Sequence, residues 1–333
     1  MNNQSQNGAR EVAAALINAK SVAIFMHVNP DGDTIGSALA LRLALISLGK
    51  RAEVFCQDAM PRVYRYLEGI KSVKTAEGVS PSDFDLAVST DVSDIERMGD
   101  LRGLFSAIAK CAQIDHHETN PMFADFNYVD GMASATAYLV YEMLSWISAP
   151  LTCEIAVCLY TGVSTDTGNF MFRNTDDRAF EMMPALMRAG LPLTALSSRL
   201  FREMSRSHVL LLGKALKSIR YIKDGKIAVM TLSQAEMDEC GAKPEHADGV
   251  VNFGIDTEGV YLASLARESS GKTKFSLRAK EPCSAARVAL RFGGGGHELA
   301  AGCTIDAPLI EAAMIMEKAL IEELSGAKPP EDD

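Results

Sequence analysis

The chain has 333 residues, 47% of them hydrophobic and 23% charged, with 33 Lys and Arg against 43 Asp and Glu, a formal net charge of −10. That length favours two domains, and the apolar-to-charged balance excludes a disordered, collagenous or low-complexity chain. The negative charge argues against long-range capture of duplex nucleic acid or an anionic membrane, so an anionic substrate has to be short or small and held by a local device such as a metal or a basic pocket.

The polar segment 1–10 leads into a helical stretch bracketed by Glu11 and Lys20. It lacks the apolar core of a signal peptide, and no run is long enough to span a bilayer, so a cytoplasmic protein is expected. Residues 22–26 (VAIFM) predict a fully buried first strand, and 34–48, apolar on nearly every face, a helix packed between a sheet and other elements that ends at Gly49-Lys50. Residues 53–55, 86–90 and 111–114 predict three more strands, and helical patterns follow over 133–148, 152–163, 176–189 and 192–202. The alternation predicts an α/β fold with a doubly wound, mostly parallel sheet over 1–191, then a helical connector over 192–216. Strands at 227–230, 261–265 and 274–277, with helices near 233–239, 284–291 and 308–324, predict a smaller α/β domain over 217–326. The tail 328–333 is expected to fray. Seven cysteines, Cys56, Cys111, Cys153, Cys158, Cys240, Cys283 and Cys303, form no C-x-x-C and are odd in number. They read as reduced, mostly buried thiols.

In an open parallel sheet, ligands bind outside the carboxyl ends of the strands. His27-Val28-Asn29-Pro30-Asp31-Gly32-Asp33 follows the first strand, where Pro30 and Gly32 make a tight turn that presents His27, Asp31 and Asp33 to one point. Alone, this motif reads as a solvated turn. Asp91 follows the strand at 86–90, and Asp115-His116-His117 ends the strand at 111–114. Three strands that each finish in Asp or His at one rim outweigh the bland reading of any one. Asp166, within Thr161-Gly162-Val163-Ser164-Thr165-Asp166-Thr167-Gly168, reads alone as part of a capping loop and with the others as the final ligand. His208 and His246 stand apart and read as surface or packing residues. Asp31, Asp33, Asp91 and Asp166 with neutral His27 and His116 balance two divalent ions. Oxygen mixed with imidazole suits Mn²⁺ best, with Mg²⁺ or Co²⁺ as alternatives, and a thiolate zinc site is excluded. Two ions about 3.5–4 Å apart imply phosphoester hydrolysis.

Farther on, Gly293-Gly294-Gly295-Gly296-His297 offers backbone N–H groups to an anion, with a helix start expected after it to add its positive end. Arg278, at the end of the strand at 274–277, is the obvious partner for a substrate phosphate because its fork suits bidentate binding.

In this order, H-x-x-x-D-x-D at 27–33, Asp91, Asp115-His116-His117, Asp166 and the glycine run with His297 resemble the DHH phosphoesterases, the NrnA-type nanoRNase and pAp phosphatase members in particular, over about residues 8–325. Asn120 and Ser134-Ala135-Thr136 agree with the family; Ala279 and Lys280 after Arg278 depart from its usual Ser followed by a basic residue. The resemblance implies a catalytic domain over 1–191 with two Mn²⁺ ions, one on His27, Asp31 and Asp91, the other on Asp33, Asp91, His116 and Asp166, Asp91 bridging. His117 would face the scissile phosphate and Asp115 would fix a histidine. The DHH-associated domain over 217–326 would close over the metal cleft and hold the substrate's terminal phosphate or nucleotide with Arg278, Gly294, Gly295, Gly296 and His297. The implied partners are short single-stranded oligoribonucleotides and small phosphonucleotides such as pAp, not duplexes or membranes, and a homodimer is compatible with the sequence. Two readings stay open beside it: a cyclic-di-AMP or linear pApA phosphodiesterase of the same superfamily, and a metal-dependent nucleotide-binding protein without turnover.

Overall fold

A computed structural model describes residues 3–327 and Pro329; the rest of the tail expected to fray lies outside the described residues. The chain forms two compact units that divide between Glu203 and Met204.

In the first unit the elements run α1 (Asn3–Asn18), β1 (Ser21–Phe25), α2 (Gly32–Ser47), β2 (Arg51–Phe55), β3 (Leu86–Thr90), α3 (Arg102–Ala107), β4 (Cys111–Asp115), β5 (Phe126–Val129), α4 (Thr136–Trp146), α5 (Cys153–Asp166), α6 (Asp177–Glu181), α7 (Met183–Arg188) and α8 (Leu193–Phe201). Among the described residues its sheet has five strands, all parallel, in the order β2-β1-β3-β4-β5. This is the expected doubly wound α/β architecture. Strands β1, β3 and β4 are inner strands, almost wholly buried, which is why they read as unbroken apolar runs. Strand β5 escaped prediction because Phe-Asn-Tyr-Val is short, mixed and at the sheet edge; α1 packs so close to it that a Cβ on Gly8 would fall 2.1 Å from the Asn127 carbonyl oxygen.

From β1 the chain steps outward to β2 and then returns to β3 on the other side of β1. The crevice beyond the carboxyl ends of β1 and β3 is the topological switch point where such sheets bind ligands. Helix α5 lies against α2 at near-backbone contact: a Cβ on Gly36 would meet the Cys158 carbonyl oxygen at 2.4 Å, and one on Gly162 the Asp33 carboxylate at 2.7 Å. This seam brings the end of α5 to the start of α2. The helix predicted over 152–163 runs on to Asp166, so that candidate ligand stands in a last helical turn rather than in a loop. The helix predicted over 176–189 is two helices that break at Met182, where Pro184 in the first turn of α7 cannot donate a backbone hydrogen bond to an earlier turn.

Residues 192–216 do not stand as a separate connector. Leu196 of α8 is buried in the core of the first unit. Helix α9 (Arg206–Ser218) buries Leu211 and Ala215 in a core of the second.

After α9 the second unit continues with β6 (Arg220–Ile222), β7 (Ile227–Leu232), α10 (Gln234–Glu239), α11 (Asn252–Ile255), β8 (Leu262–Ser269), β9 (Lys272–Ala279), α12 (Ala285–Leu290), β10 (Gly295–His297), β11 (Ala300–Ile305) and α13 (Leu309–Ala327). Its sheet runs β10-β11-β9-β8-β7-β6, with β7 and β8 parallel and the other pairs antiparallel. On one face Val229, Leu262, Phe275, Leu277 and Cys303 pack with α12 and α13; on the other, Ala228, Met230, Ala263 and Leu265 pack with α9, α10 and α11. That second face is open over β9: Phe275, Leu277 and Ala279 are buried, whereas the alternating Lys274, Ser276 and Arg278 are not. Five of the seven cysteines are buried, and all are free thiols. Among the described residues, no helix is long and apolar enough to cross a membrane.

Candidate metal centre

The expected ligands gather at the carboxyl ends of β1, β3 and β4. Three groups have candidate ligand atoms all within 4.8 Å of one another: His27 with Asp31 and Asp91, Asp33 with His116 and Asp166, and Asp91 with His116 and His117. Asp91 stands between the others, its Oδ2 3.6 Å from His27 Nε2 and its Oδ1 3.6 Å from His116 Nε2. His27 Nε2 is also 3.7 Å from Asp31, and His116 Nε2 3.7 Å from Asp166. These separations are too long for hydrogen bonds but fit two atoms that share one cation at about 2.1 Å each.

Each group is aimed by a local partner. The His27 Nδ1–H donates to the Val28 carbonyl at 2.8 Å and that of His116 to the Ala133 carbonyl at 3.1 Å, which leaves both Nε2 atoms facing the carboxylates. Asp31 is the N-cap of α2 and accepts from the Asp33 and Thr34 amides, so capping and site-building coexist in one carboxylate. Asp33, 1% exposed, receives the first amides of α4 from Thr136 and Ala137 at 2.7 and 2.9 Å, and the Ser37 hydroxyl from the next turn of α2. The Thr136 hydroxyl donates to Asp91 at 2.9 Å. Asp91 itself takes a left-handed backbone conformation (φ 61°), which Asp tolerates better than most residues and which turns its carboxylate in from the end of β3. Asn174 donates to Asp166 at 3.0 Å.

His117 is set apart. Its Nδ1–H donates to Asp115 at 2.9 Å, and Asp115, fully buried, also accepts from Asn120 at 2.7 Å. Asn120 in turn exchanges amide hydrogen bonds with buried Gln113 of β4. The His117 side chain is 40% exposed against 14% for His116, so its Nε2 edge faces outward from the cluster.

Left to their own charges, these groups repel. Burial, then the charges of Asp91, Asp166 and Asp31, push the Asp33 carboxyl well above its ordinary range. Burial and neighbouring carboxylates bring Asp166 to about 6. Burial alone depresses the His27 imidazole, but Asp31 and Asp91 outweigh it and hold it at about 10. A site that draws protons so strongly fits divalent cations. Because ligands must shed protons to bind metal, affinity rises with pH. A carboxyl with a raised value binds its proton more tightly folded than unfolded, so chelator-treated protein is expected to lose stability as pH climbs from 3.8 through about 6. Added Mn²⁺ is expected to raise Tm by about 5–10 °C at about pH 7.5 and much less at about pH 5, read by differential scanning fluorimetry. An increment independent of pH contradicts this electrostatic account.

In the second unit, Arg278 of β9 lies opposite Ala300 of β11, which lies opposite His297 of β10, so Arg278 and His297 share one lateral row of the sheet. Arg278 Nε donates to Asn252 and Nη1 to the Leu277 carbonyl, both at 3.0 Å. The glycine run does not lead into a helix. It turns into the hairpin β10–β11, where the absence of side chains serves close backbone packing: a Cβ on Gly294 would meet the Gly302 carbonyl oxygen at 2.2 Å, and one on Gly296 the Ala300 carbonyl oxygen at 2.5 Å. The expected positive helix end is therefore missing there. His208 and His246 lie in the second unit, their rings 6.3 Å apart, and belong to none of the three clusters.

The DHH family, N-terminal domain, matches residues 21–163, and the DHHA1 domain matches residues 224–324. A Thermus thermophilus protein named bifunctional oligoribonuclease and PAP phosphatase NrnA is 33% identical over 306 residues, covering 91% of this chain and 90% of its own. The chain belongs to the DHH family. A Bacillus subtilis DHH relative of the same name is 25% identical, covering 86% of this chain and 89% of its own. The crystal structure of an exopolyphosphatase-related protein from Bacteroides fragilis superposes with TM-score 0.89 at 25% identity, covering 97% of this chain and 98% of that one. As a DHH phosphoesterase, the chain is a hydrolase acting on phosphoester bonds.

Sequence reasoning had singled out Asp115, Asn120 and Thr136 but missed the other supports of this DHH centre. Ser37 could have been found from its helical spacing to Asp33, and Gln113 from a polar residue inside an apolar strand. The carbonyls of Val28 and Ala133, and Asn174, carry no sequence signal, because tertiary contacts alone give them their roles.

Proposed function

We propose that this phosphoesterase hydrolyses short single-stranded oligoribonucleotides to mononucleotides and removes the 3′-phosphate of pAp, using two Mn²⁺ ions, in the cytoplasm. The observation that carries the reading is Asp91, shared between two ligand clusters at the switch point of the sheet. His27, Asp31 and Asp91 would hold one ion and Asp33, Asp91, His116 and Asp166 the other. Bound there, two such ions would supply a water of lowered pKa as nucleophile and would offset the charge of the phosphate. The α4 amides hold Asp33 still, and the Ala137 hydrogen bond favours its ionised form against burial and the neighbouring carboxylates. His117, its Nδ1–H held by Asp115, presents Nε2 to the scissile phosphate, to orient it or to pass a proton to the leaving oxygen. In the second unit, Arg278 has two nitrogens committed to orientation, which leaves Nη2 for a terminal phosphate, with His297 in the same row, Gly295 open beside it, and Gly294 and Gly296 letting the hairpin backbone close up beneath. A chain with net charge −10 suits a substrate a few nucleotides long better than a duplex. The names of the Thermus and Bacillus relatives support both activities.

Metal-loaded protein should be offered an RNA dinucleotide, pAp, linear pApA, cyclic di-AMP and pyrophosphate, with products resolved by chromatography. The expected result is mononucleotide from the dinucleotide and AMP from pAp. Turnover of cyclic di-AMP or pyrophosphate alone keeps the centre and overturns the substrate. Turnover of none overturns this reading and turns the question to nucleotide binding without turnover.

A further inference from the structure

We infer that the second unit carries a further anion subsite, formed by Arg267 and Lys274, that takes an internucleotide phosphate of RNA longer than a dinucleotide; the inference rests on the RNA reading above. The β8–β9 register places Arg267 directly opposite Lys274, and the β9–β11 register places Thr304 opposite Lys274 on the far side. Like charges opposite each other across an antiparallel ladder are destabilising. Neither side chain makes a hydrogen bond or ion pair with a described residue. Lys272, two residues away, shows the ordinary alternative by pairing with Asp306 at 3.1 Å.

The two cations line a pocket of about 450 Å³ together with Ser276, Thr304, Gly293 and Gly294. Its one carboxylate, Asp248, is exposed and lies within electrostatic reach of Arg267, but forms an ion pair with neither cation. The hydroxyls of Ser276 and Thr304 add donors, and at Gly293 a Cβ would meet nothing within 4 Å, which leaves space for a phosphate. The pocket lies on the open face that also carries Arg278. Lys274 stands four residues from Arg278 along β9 with Ser276 between them, all on one face, a distance of about 13 Å. One phosphate cannot touch both. A strand that places its terminal phosphate on Arg278 reaches Arg267 and Lys274 with a phosphate farther along. The single internucleotide phosphate of a dinucleotide is the one to be cleaved and leaves none for a second subsite, so the subsite would act on substrate length.

The test measures binding of a fluorescent five-nucleotide RNA and of a dinucleotide to full-length, chelator-treated protein, by anisotropy over a range of salt. Arg267→Ala and Lys274→Ala are each expected to weaken the longer RNA about tenfold. Each should also reduce its log–log salt slope by about 0.7. Dinucleotide affinity should stay within about twofold, and Lys274→Arg should restore tight binding of the longer RNA. Folded variants with unchanged affinity for the longer RNA, an equal loss on both lengths, or a wild type that binds the longer RNA no better than the dinucleotide would each overturn the subsite. Dinucleotide turnover by Mn²⁺-loaded wild type separates the two readings. Length-dependent binding without turnover sinks the enzymatic reading alone, whereas turnover with variants that bind the longer RNA as wild type does sinks the subsite alone.

Discussion

Asp91→Asn is expected to lower kcat by at least about 10³-fold while the protein stays folded. Asp91 alone faces both His27 and His116, and it is 3% exposed, so no water or neighbouring side chain can replace its charge between the two clusters. Asn is the informative substitution because it keeps the size of the group and tolerates the left-handed backbone at this position (φ 61°). Ala would lose the same charge and add about 1 kcal/mol of backbone strain. The variant should also forfeit most of the Tm gained from Mn²⁺, which separates loss of metal from loss of fold. Full Mn²⁺-dependent hydrolysis in Asp91→Asn would show the ligand assignment to be wrong.

His117→Ala is expected to reduce kcat by about 10²–10⁴-fold with KM and metal stoichiometry little changed. His117 is the most exposed histidine of the cluster, and its Nδ1 is already committed to Asp115. Its open edge is therefore available to a substrate oxygen. Asp115→Asn should fall between wild type and His117→Ala, by about 10–100-fold, because an amide in that position no longer favours the Nδ1–H tautomer. Steady-state kinetics of the three proteins on one dinucleotide checks the order. A raised KM with unchanged kcat in His117→Ala would move this residue from the reaction to simple binding.

The candidate site was legible because most of its members stand at or just beyond the end of an apolar strand or helix: His27 after β1, Asp91 after β3, Asp115 and His116 around the end of β4, and Asp166 at the end of α5. Buried inner strands announce themselves as continuous apolar runs, so the rim they share could be inferred before any contact was known. Edge and glycine-rich strands do not. β5 mixes polar and apolar residues, and β10 is Gly295, Gly296 and His297, which reads as a loop; its pairing with β11 depends on how closely two backbones approach. The break at Met182 was in principle visible from Pro184. The opposition of Arg267 and Lys274 was not, since a register between strands is a property of the fold and appears in no local pattern.

The central claim, that a two-ion centre at the carboxyl ends of β1, β3 and β4 hydrolyses short RNA, is tested most directly by stripping the protein with chelator and titrating Mn²⁺ back, following release of mononucleotide from an RNA dinucleotide and bound metal together. No product before metal addition, and turnover that rises as two ions per chain are taken up, is the expected result. Undiminished turnover in the presence of chelator, or none at metal saturation, would contradict it.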